Sequence, residues 1–168
     1  MTPSLTLRAP TLQATVALAG ALAGLSRPGD MILLAGEMGA GKTAFAQGFG
    51  RALGVREPIT SPTFTLVHRY DTDGAALHHA DLYRLDHTAE VADLALAELA
   101  EDGGIVLVEW GDVVESSFGD HLLVRLEPDG DVGARLITIA PHGSTWARRW
   151  PVVETACRRA LAAGEDRC

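Results

Sequence analysis

The sequence predicts an α/β fold in which a mixed sheet, parallel at its centre, carries helices on its faces. Met31–Ala35 and Ile105–Val108 are continuous apolar runs, as expected of strands buried on both faces of a sheet. Helical spacing recurs between the strand-like runs, and two pairs of such runs flank turn residues, which predicts antiparallel hairpins. With 168 residues, the chain is expected to form a single domain over residues 1–168.

The first four elements follow from local patterns. Ser4–Arg8 is a short strand-like run, predicted to lie at an edge of the sheet. A helix is expected over Thr11–Leu25, with its first residue as the N-cap. The apolar strand Met31–Ala35 comes next, and then the helical spacing of Lys42–Leu53, which stops at Gly54.

The middle of the chain predicts a hairpin and a helix. Thr63–Tyr70 and Ala75–Leu82 are strand-like runs on either side of Asp71–Gly74, a turn sequence. Thr88–Ala100 has helical spacing and ends before Asp102–Gly104.

The last third begins with the strand Ile105–Val108, which runs directly into an acidic residue. Leu122–Leu126 and Arg135–Ile139 then predict a second hairpin across the turn Pro128–Asp131. One final helix is expected over about Thr145–Ala163.

The net charge of −8 argues against broad, sequence-independent binding of nucleic acid, which requires clustered Lys and Arg. The exception is four arginines near the C-terminus: Arg148, Arg149, Arg158 and Arg159. They are interpreted as solvated residues that offset a helix dipole, with a partner-facing or RNA-facing patch as the alternative.

The apolar stretch Leu12–Leu25 resembles a signal-peptide core, but only Arg8 supplies positive charge before it. The stretch is also shorter than the roughly 20 residues that span a membrane, so a buried or amphipathic helix is expected. Cys157 and Cys168 have neither metal-binding nor redox spacing. These features predict a cytoplasmic protein without a membrane segment.

Gly36–Thr43 matches the phosphate-binding pattern Gly-x-x-x-x-Gly-Lys-[Ser/Thr], the P-loop. Glycines let the backbone take positive φ, so that N–H groups converge on phosphate oxygens at a helix N-terminus. Lys42 is expected to reach the β- and γ-phosphates, and the Thr43 hydroxyl to bind Mg²⁺. The predicted nucleotide-binding residues are Met38, Gly39, Ala40, Gly41, Lys42 and Thr43.

Lys42 is the only lysine among fourteen basic residues. A compact ammonium on a flexible stem is thus retained at the one position where a P-loop needs it. We interpret this as strong support for phosphate binding.

Two acidic residues lie at predicted strand ends, where open α/β sheets bind ligands. Glu109 can hold Mg²⁺ as a Walker-B acid does, or cap a neighbouring turn. Asp81 can orient an attacking water, and Arg84 can neutralise charge that develops on the γ-phosphate; a simple Asp81–Arg84 ion pair is the alternative. His78 and His79 occupy adjacent strand positions that point to opposite faces, so a histidine metal site is not expected.

Thr60–Thr63 follows the P-loop helix, where many P-loop proteins keep a segment that senses the γ-phosphate. Its hydroxyls can bind Mg²⁺ or phosphate, or they can cap a turn.

Four motifs together resemble one family, the small bacterial ATPase of tRNA threonylcarbamoyladenosine biosynthesis called TsaE or YjeE. The residues that carry the resemblance are Gly36–Thr43, Ser61–Val67, His79–Leu85 and Val108–Trp110. They occur in the family's order and spacing over about Thr11–Asp112. The P-loop is shared by a large superfamily, whereas the other three motifs are far more specific.

The resemblance implies a single-domain P-loop fold that hydrolyses ATP with Mg²⁺. Thr43 and Glu109 match the family's magnesium ligands, Lys42 and the loop from Met38 match its phosphate-binding residues, and Asp81 matches an aspartate needed for activity. The resemblance also implies partner proteins of TsaD and TsaB type that modify tRNA, and ATP hydrolysis that resets this modification machinery between cycles. The chain would therefore reach tRNA only indirectly, which suits its acidic charge.

The chain departs from the family pattern at two places. Ala44 stands where a second threonine is common, so a secondary phosphate contact is in doubt. Gly111–Asp112 follows Trp110 where proline is usual, which puts the local turn in doubt. Beyond Asp120 the resemblance is weak.

Other functions stay open at this point. A small-molecule kinase would need an arginine-bearing lid, and the available residues Arg125, Arg135, Arg148 and Arg149 form no recognisable lid in sequence. A GTPase is disfavoured because no Asn-Lys-x-Asp motif is present. A scaffold that binds ATP only to dock a partner is a further alternative.

Overall fold

The computed structural model describes residues 2–60, 67–82, 89–110 and 118–165. Within these residues, seven strands form one sheet: β1 (Leu5–Ala9), β2 (Met31–Ala35), β3 (Val67–Tyr70), β4 (Leu77–Asp81), β5 (Ile105–Glu109), β6 (His121–Pro128) and β7 (Arg135–His142). The helices of the same residues are α1 (Leu12–Leu25), α2 (Lys42–Ala52), α3 (Ala89–Glu101), α4 (Ser144–Ala147) and α5 (Trp150–Glu165).

The strand order is β1-β7-β6-β2-β5-β4-β3. At the centre, β2 pairs in parallel with both β5 and β6, and β4 pairs in parallel with β5. The pairs β3–β4, β6–β7 and β1–β7 are antiparallel. The predicted mixed sheet with parallel central strands is therefore confirmed, as are the two hairpins and the edge position of the first strand.

The central strands are apolar because both faces of the sheet are covered. All five residues of β2 and of β5 are buried. Alternate residues of β2 face opposite ways: Ile32 and Leu34 join a core with α1, α2 and α5, whereas Leu33 joins a smaller core with α3. Because β2, β4, β5 and β6 run parallel, their carboxyl ends lie together along one side of the sheet, here called its carboxyl edge.

Helix α1 begins as its sequence predicts. The Oγ1 of Thr11 accepts a hydrogen bond of 3.1 Å from the backbone N–H of Ala14, as an N-cap side chain does. No helix in the described ranges is long and apolar enough to cross a membrane.

The prediction of one final helix over Thr145–Ala163 is wrong. The structure has two helices, α4 and α5, separated by a turn at Arg148 and Arg149. Pro151 explains the break, because proline has no N–H to donate to the carbonyl four residues earlier and its ring clashes with that carbonyl. Arg148 and Arg159 therefore do not share one continuous helix.

Candidate nucleotide-binding site

The P-loop connects the end of β2 to the start of α2. Its glycines Gly36, Gly39 and Gly41 have φ values of 144°, 82° and 107°, a region that residues with a Cβ rarely adopt. Gly36 is crowded as well, since a Cβ there would lie 2.5 Å from the carbonyl oxygen of Leu126 on β6. The loop therefore follows the glycine-dependent path that its motif predicts.

Helix α2 begins where the loop ends. Its N-cap, Gly41, has no side chain to bond the first N–H groups, and the first intrahelical bond runs from Phe45 N–H to the Gly41 carbonyl at 2.9 Å. The N–H groups of the first turn and the helix dipole make this end suited to an anion.

Lys42 is the first residue of α2, and its side chain folds back over the loop. Nζ donates hydrogen bonds to the carbonyl oxygens of Gly36 at 2.6 Å and Glu37 at 2.8 Å. The ring of Trp110 covers the same nitrogen, with 3.9 Å between Nζ and the ring centroid. The ammonium is therefore buried between backbone carbonyls and an aromatic face.

Glu109 joins the loop to the sheet. It is the last residue of β5 and stands beside Leu34 of β2 in the parallel register. Its Oε1 accepts a hydrogen bond of 3.2 Å from Thr43 Oγ1, and its Oε2 lies 2.7 Å from His79 Nε2. Because a carboxylate only accepts, His79 is the donor. The second ring nitrogen of His79 is buried without a hydrogen-bond partner in the described structure.

Asp81 is the last residue of β4 and stands opposite Glu109 in the parallel register. It is half-buried, and the next residue, Leu82, donates its N–H to the Glu109 carbonyl at 3.1 Å. Parallel neighbours end at the same edge of a sheet. The fold thus brings Asp81, Glu109 and the P-loop to one edge.

Two of the predicted site elements, Arg84 and Ser61–Thr63, lie outside the described residues. Gly111–Asp112, where the chain departs from the family pattern, also lies outside them. Thr60 is described, and its N–H lies 3.4 Å from the hydroxyl of Tyr70.

A pocket of about 450 Å³ opens beside the loop. Trp110, at its wall, has a φ of 63°, which is unusual for a residue with a side chain. Its backbone N–H bonds the Leu34 carbonyl at 2.9 Å, which holds this turn against β2. The pocket is lined by Gly36, Glu37, Trp110, Arg125, Leu126, Glu127 and Pro128.

Arg135 is a site residue that sequence reasoning missed. From the start of β7, its Nε donates to the Ala40 carbonyl at 2.6 Å and its Nη2 to the Gly39 carbonyl at 3.1 Å. The sequence offered Arg135 only as one of several arginines for a kinase lid. Its contact with the loop depends on the placement of β7 in the sheet, so no spacing in the sequence could have found it.

His78 and His79 point to opposite faces of the sheet, as strand alternation predicts. His79 faces Glu109, whereas a side chain at Gly104 would collide with His78 on the other side. Burial, and secondarily the nearby charge of Arg69, lowers the pKa of His78. His78 therefore has a structural environment away from the loop.

Arg149 is neither solvated nor partner-facing, so both interpretations offered from sequence are wrong for it. Its guanidinium makes a bidentate ion pair with the buried carboxylate of Asp30, at 2.6 and 2.9 Å, and lies 4.0 Å from the centroid of the Trp146 ring. Arg158 pairs on the surface with Glu154. Arg148 and Arg159 are exposed.

Comparison with known proteins is consistent with this geometry. The family profile described as "Threonylcarbamoyl adenosine biosynthesis protein TsaE" matches residues 9–136. The chain belongs to the TsaE family. This match extends beyond the region in which the sequence motifs were recognised.

Individual TsaE relatives cover most of the chain. The tRNA threonylcarbamoyladenosine biosynthesis protein TsaE of Bacillus subtilis is 36% identical over 133 residues, which is 79% of this chain and 82% of that protein. The TsaE protein of Streptomyces coelicolor is 41% identical over 133 residues, 75% of this chain and 89% of its own. The crystal structure of YdiB from Bacillus subtilis superposes with a TM-score of 0.69 and 30% identity, covering 98% of both chains.

Family and fold together identify a P-loop nucleotide-binding protein of the threonylcarbamoyladenosine pathway. The P-loop, Glu109 and Asp81, which carried the resemblance in sequence, lie together at the carboxyl edge of the sheet.

Proposed function

We propose that this chain is an Mg²⁺-dependent ATPase required for the formation of threonylcarbamoyladenosine in tRNA. The observation that carries the proposal is the contact between Thr43 Oγ1 and Glu109 Oε1, 3.2 Å apart, at the start of the P-loop helix. A hydroxyl and a carboxylate side by side at this position are the two protein groups that a P-loop ATPase uses for its metal ion.

The phosphates of the nucleotide would lie at the N-terminus of α2. The loop from Met38 to Thr43 supplies its N–H groups and the helix dipole, and Lys42 supplies a positive charge. In the structure Lys42 Nζ bonds the carbonyls of Gly36 and Glu37. Binding would redirect at least one of its N–H donors to a phosphate oxygen, because a P-loop lysine contacts the β- and γ-phosphates.

The residues present fit Mg²⁺. Thr43 and Glu109 offer hard oxygen donors, and Glu109 is buried beside the loop. In the described part of the chain no three His, Cys, Asp or Glu side chains cluster as a metal site, so phosphate and water oxygens would complete the coordination, as is usual for this ion. When bound, Mg²⁺ neutralises charge on the phosphate oxygens.

Asp81 is proposed to orient the water that attacks the γ-phosphate. Its position opposite Glu109 in the β4–β5 register supports this role, because it places a second carboxylate at the same edge. Arg84, three residues further along the chain, is proposed to stabilise the charge that develops on the γ-phosphate.

The nucleoside is proposed to occupy the pocket next to the loop. The pocket shares Gly36 and Glu37 with the loop, and its volume of about 450 Å³ is within the range of small-ligand sites. We infer ATP as the ligand because the sequence has no guanine-reading motif.

Partners are proposed to couple hydrolysis to the modification of tRNA. We propose proteins of TsaD and TsaB type, and a resetting role for hydrolysis between cycles. The formal charge of −8 supports indirect rather than direct contact with tRNA. We propose that the chain acts in the cytoplasm, with residues 1–168 forming a single domain.

The test is ATP hydrolysis by the wild type and by Asp81→Ala, each alone and with a TsaD–TsaB pair. We expect slow turnover alone, stimulation by the pair, and loss of that stimulation in the variant. Asp102→Ala, which removes an exposed carboxylate after α3, is the matched control and should behave as the wild type. Equal turnover in all samples would overturn the proposed role, and phosphate transferred to a small acceptor without partners would indicate a kinase.

A further inference from the structure

Arg135 reaches the P-loop from β7, which is separated from β2 by β6 in the sheet. Its Nε and Nη2 donate to the carbonyl oxygens of Ala40 and Gly39, and its Nη1 donates to the carbonyl of Ala134 at 2.8 Å. All three guanidinium nitrogens thus bond backbone carbonyls, two of them in the loop. A Cβ at Gly41 would lie 3.6 Å from Arg135 Nε, so the guanidinium covers the loop at three successive residues.

These bonds determine which way the loop's peptide groups face. A trans peptide is planar, so its N–H points away from its C=O. With the Ala40 carbonyl directed at Arg135, the N–H of Gly41 is directed away from it. The N–H of Ala40 closes a turn onto the Glu37 carbonyl at 3.0 Å, which restrains the preceding peptide.

We propose that Arg135 is a positioning residue that holds the P-loop in its phosphate-binding conformation. The inference rests on the proposed function only in taking the loop as the phosphate site. Glycine peptides rotate readily, and a rotated peptide would turn a carbonyl oxygen, rather than an N–H, toward the phosphates. Charge-assisted bonds to two successive carbonyls oppose that rotation before the ligand arrives.

The position of Arg135 in the sheet makes it a rigid anchor. In the antiparallel register it stands between Ala9 of β1 and Pro128 of β6. The planar guanidinium presents several N–H donors in a fixed fork, which suits two neighbouring carbonyls, whereas a lysine ammonium is a single point charge. We therefore expect Arg135→Lys to retain only part of the effect.

The experiment measures binding of Mg²⁺-tripolyphosphate, Mg²⁺-ADP and Mg²⁺-ATP by calorimetry to the wild type, Arg135→Met and Arg135→Lys. Arg8→Met is the matched control. Arg8 lies on the adjacent strand β1 and bonds Asp129 and Asp131 in the turn before Arg135, so its loss removes the same charge next to the β6–β7 hairpin but leaves the P-loop contacts in place.

We expect Arg135→Met to bind tripolyphosphate and ADP about tenfold more weakly. The factor should be equal for the two ligands, because the change is in the loop and not in the nucleoside pocket. Arg135→Lys should fall between Arg135→Met and the wild type, and Arg8→Met should stay within about twofold of the wild type. The thermal unfolding midpoint of ligand-free Arg135→Met should match that of Arg8→Met, which separates positioning from general stability.

Each other outcome has a distinct meaning. Equal affinity of the wild type and both Arg135 variants overturns the positioning role while leaving the proposed ATPase intact. Binding of tripolyphosphate but not of ATP by the wild type overturns the ATPase alone. If the wild type does not bind even tripolyphosphate, both are overturned. If Arg135→Met does not fold, Arg135→Lys decides the question by the same affinities.

Discussion

His79 Nε2 donates a hydrogen bond of 2.7 Å to Glu109 Oε2, and neither side chain has more than 3% of its surface exposed. The same carboxylate accepts from Thr43 through its other oxygen. His79 therefore restrains the rotation of Glu109 and leaves Oε1 directed at the P-loop helix. Burial strengthens this restraint, because a hydrogen bond is electrostatically stronger in the low-dielectric interior than in water.

Replacing His79 by leucine should lower the free energy of unfolding by about 1–3 kcal/mol, because a buried acceptor loses its donor. His79→Gln is the matched control, since its amide N–H₂ can replace the Nε2–H donor. Urea unfolding of both variants measures the difference. Equal stability of His79→Leu and His79→Gln would show that the hydrogen bond to Glu109 does not contribute to stability.

Gly36→Ala should weaken Mg²⁺-ADP binding by about tenfold or more. The new Cβ would lie 2.5 Å from the Leu126 carbonyl oxygen, and that strand is held in register by β7 on one side. The loop must then move, together with the Gly36 carbonyl that Lys42 bonds. Gly74→Ala, at a hairpin position with open space around it, is the control and should bind normally. Normal binding by Gly36→Ala would contradict the geometry of the loop.

Arg149→Met should destabilise the fold by about 3–5 kcal/mol, because it leaves the buried carboxylate of Asp30 without its charge partner. Asp30 also accepts the N–H of Arg27, so it anchors the turn that leads into β2. Arg148→Met removes an exposed arginine one residue earlier and should change stability by less than about 0.5 kcal/mol. Chemical denaturation measures both variants. Similar values for the two would refute a structural role for the pair.

Asp120 should contribute stability that depends on pH. Its Oδ2 accepts from the hydroxyls and N–H groups of Ser144 and Thr145, capping α4, whose own N-cap Gly143 offers no side chain. The hydroxyl of Thr145 is the largest of the causes that lower the pKa of Asp120 below its usual 3.8.

The sign follows from proton binding. Between the lowered pKa of Asp120 in the folded protein and its usual pKa in the unfolded chain, the unfolded chain binds more protons. Stability therefore rises with pH across this interval, and the full contribution of Asp120 is present above its usual pKa. The stability advantage of the wild type over Asp120→Asn should therefore be constant at neutral pH and shrink as pH falls through the folded pKa. Urea titrations of the two proteins across the acidic range measure this, and a difference independent of pH would contradict it.

Much of the fold could be predicted from local patterns in the sequence. The apolar runs of β2 and β5 predicted buried parallel strands, since only strands covered on both faces need no polar alternation. The hairpins followed from turn residues between strand-like runs. The helix break before Pro151 was not predicted, because the helical spacing of apolar residues continues through it. The physical reason for the turn is the missing N–H of proline.

The sequence by itself determined the P-loop, because its glycines and Lys42 are adjacent in the chain and their chemistry is local. It also indicated Glu109 and Asp81, since both follow strand-like runs. Only the tertiary structure decided the partners of these residues. Arg135 meets the loop 95 residues after Ala40, and His79 meets Glu109 30 residues away. Strand order and register create both contacts, and these depend on how the whole sheet assembles rather than on any one segment.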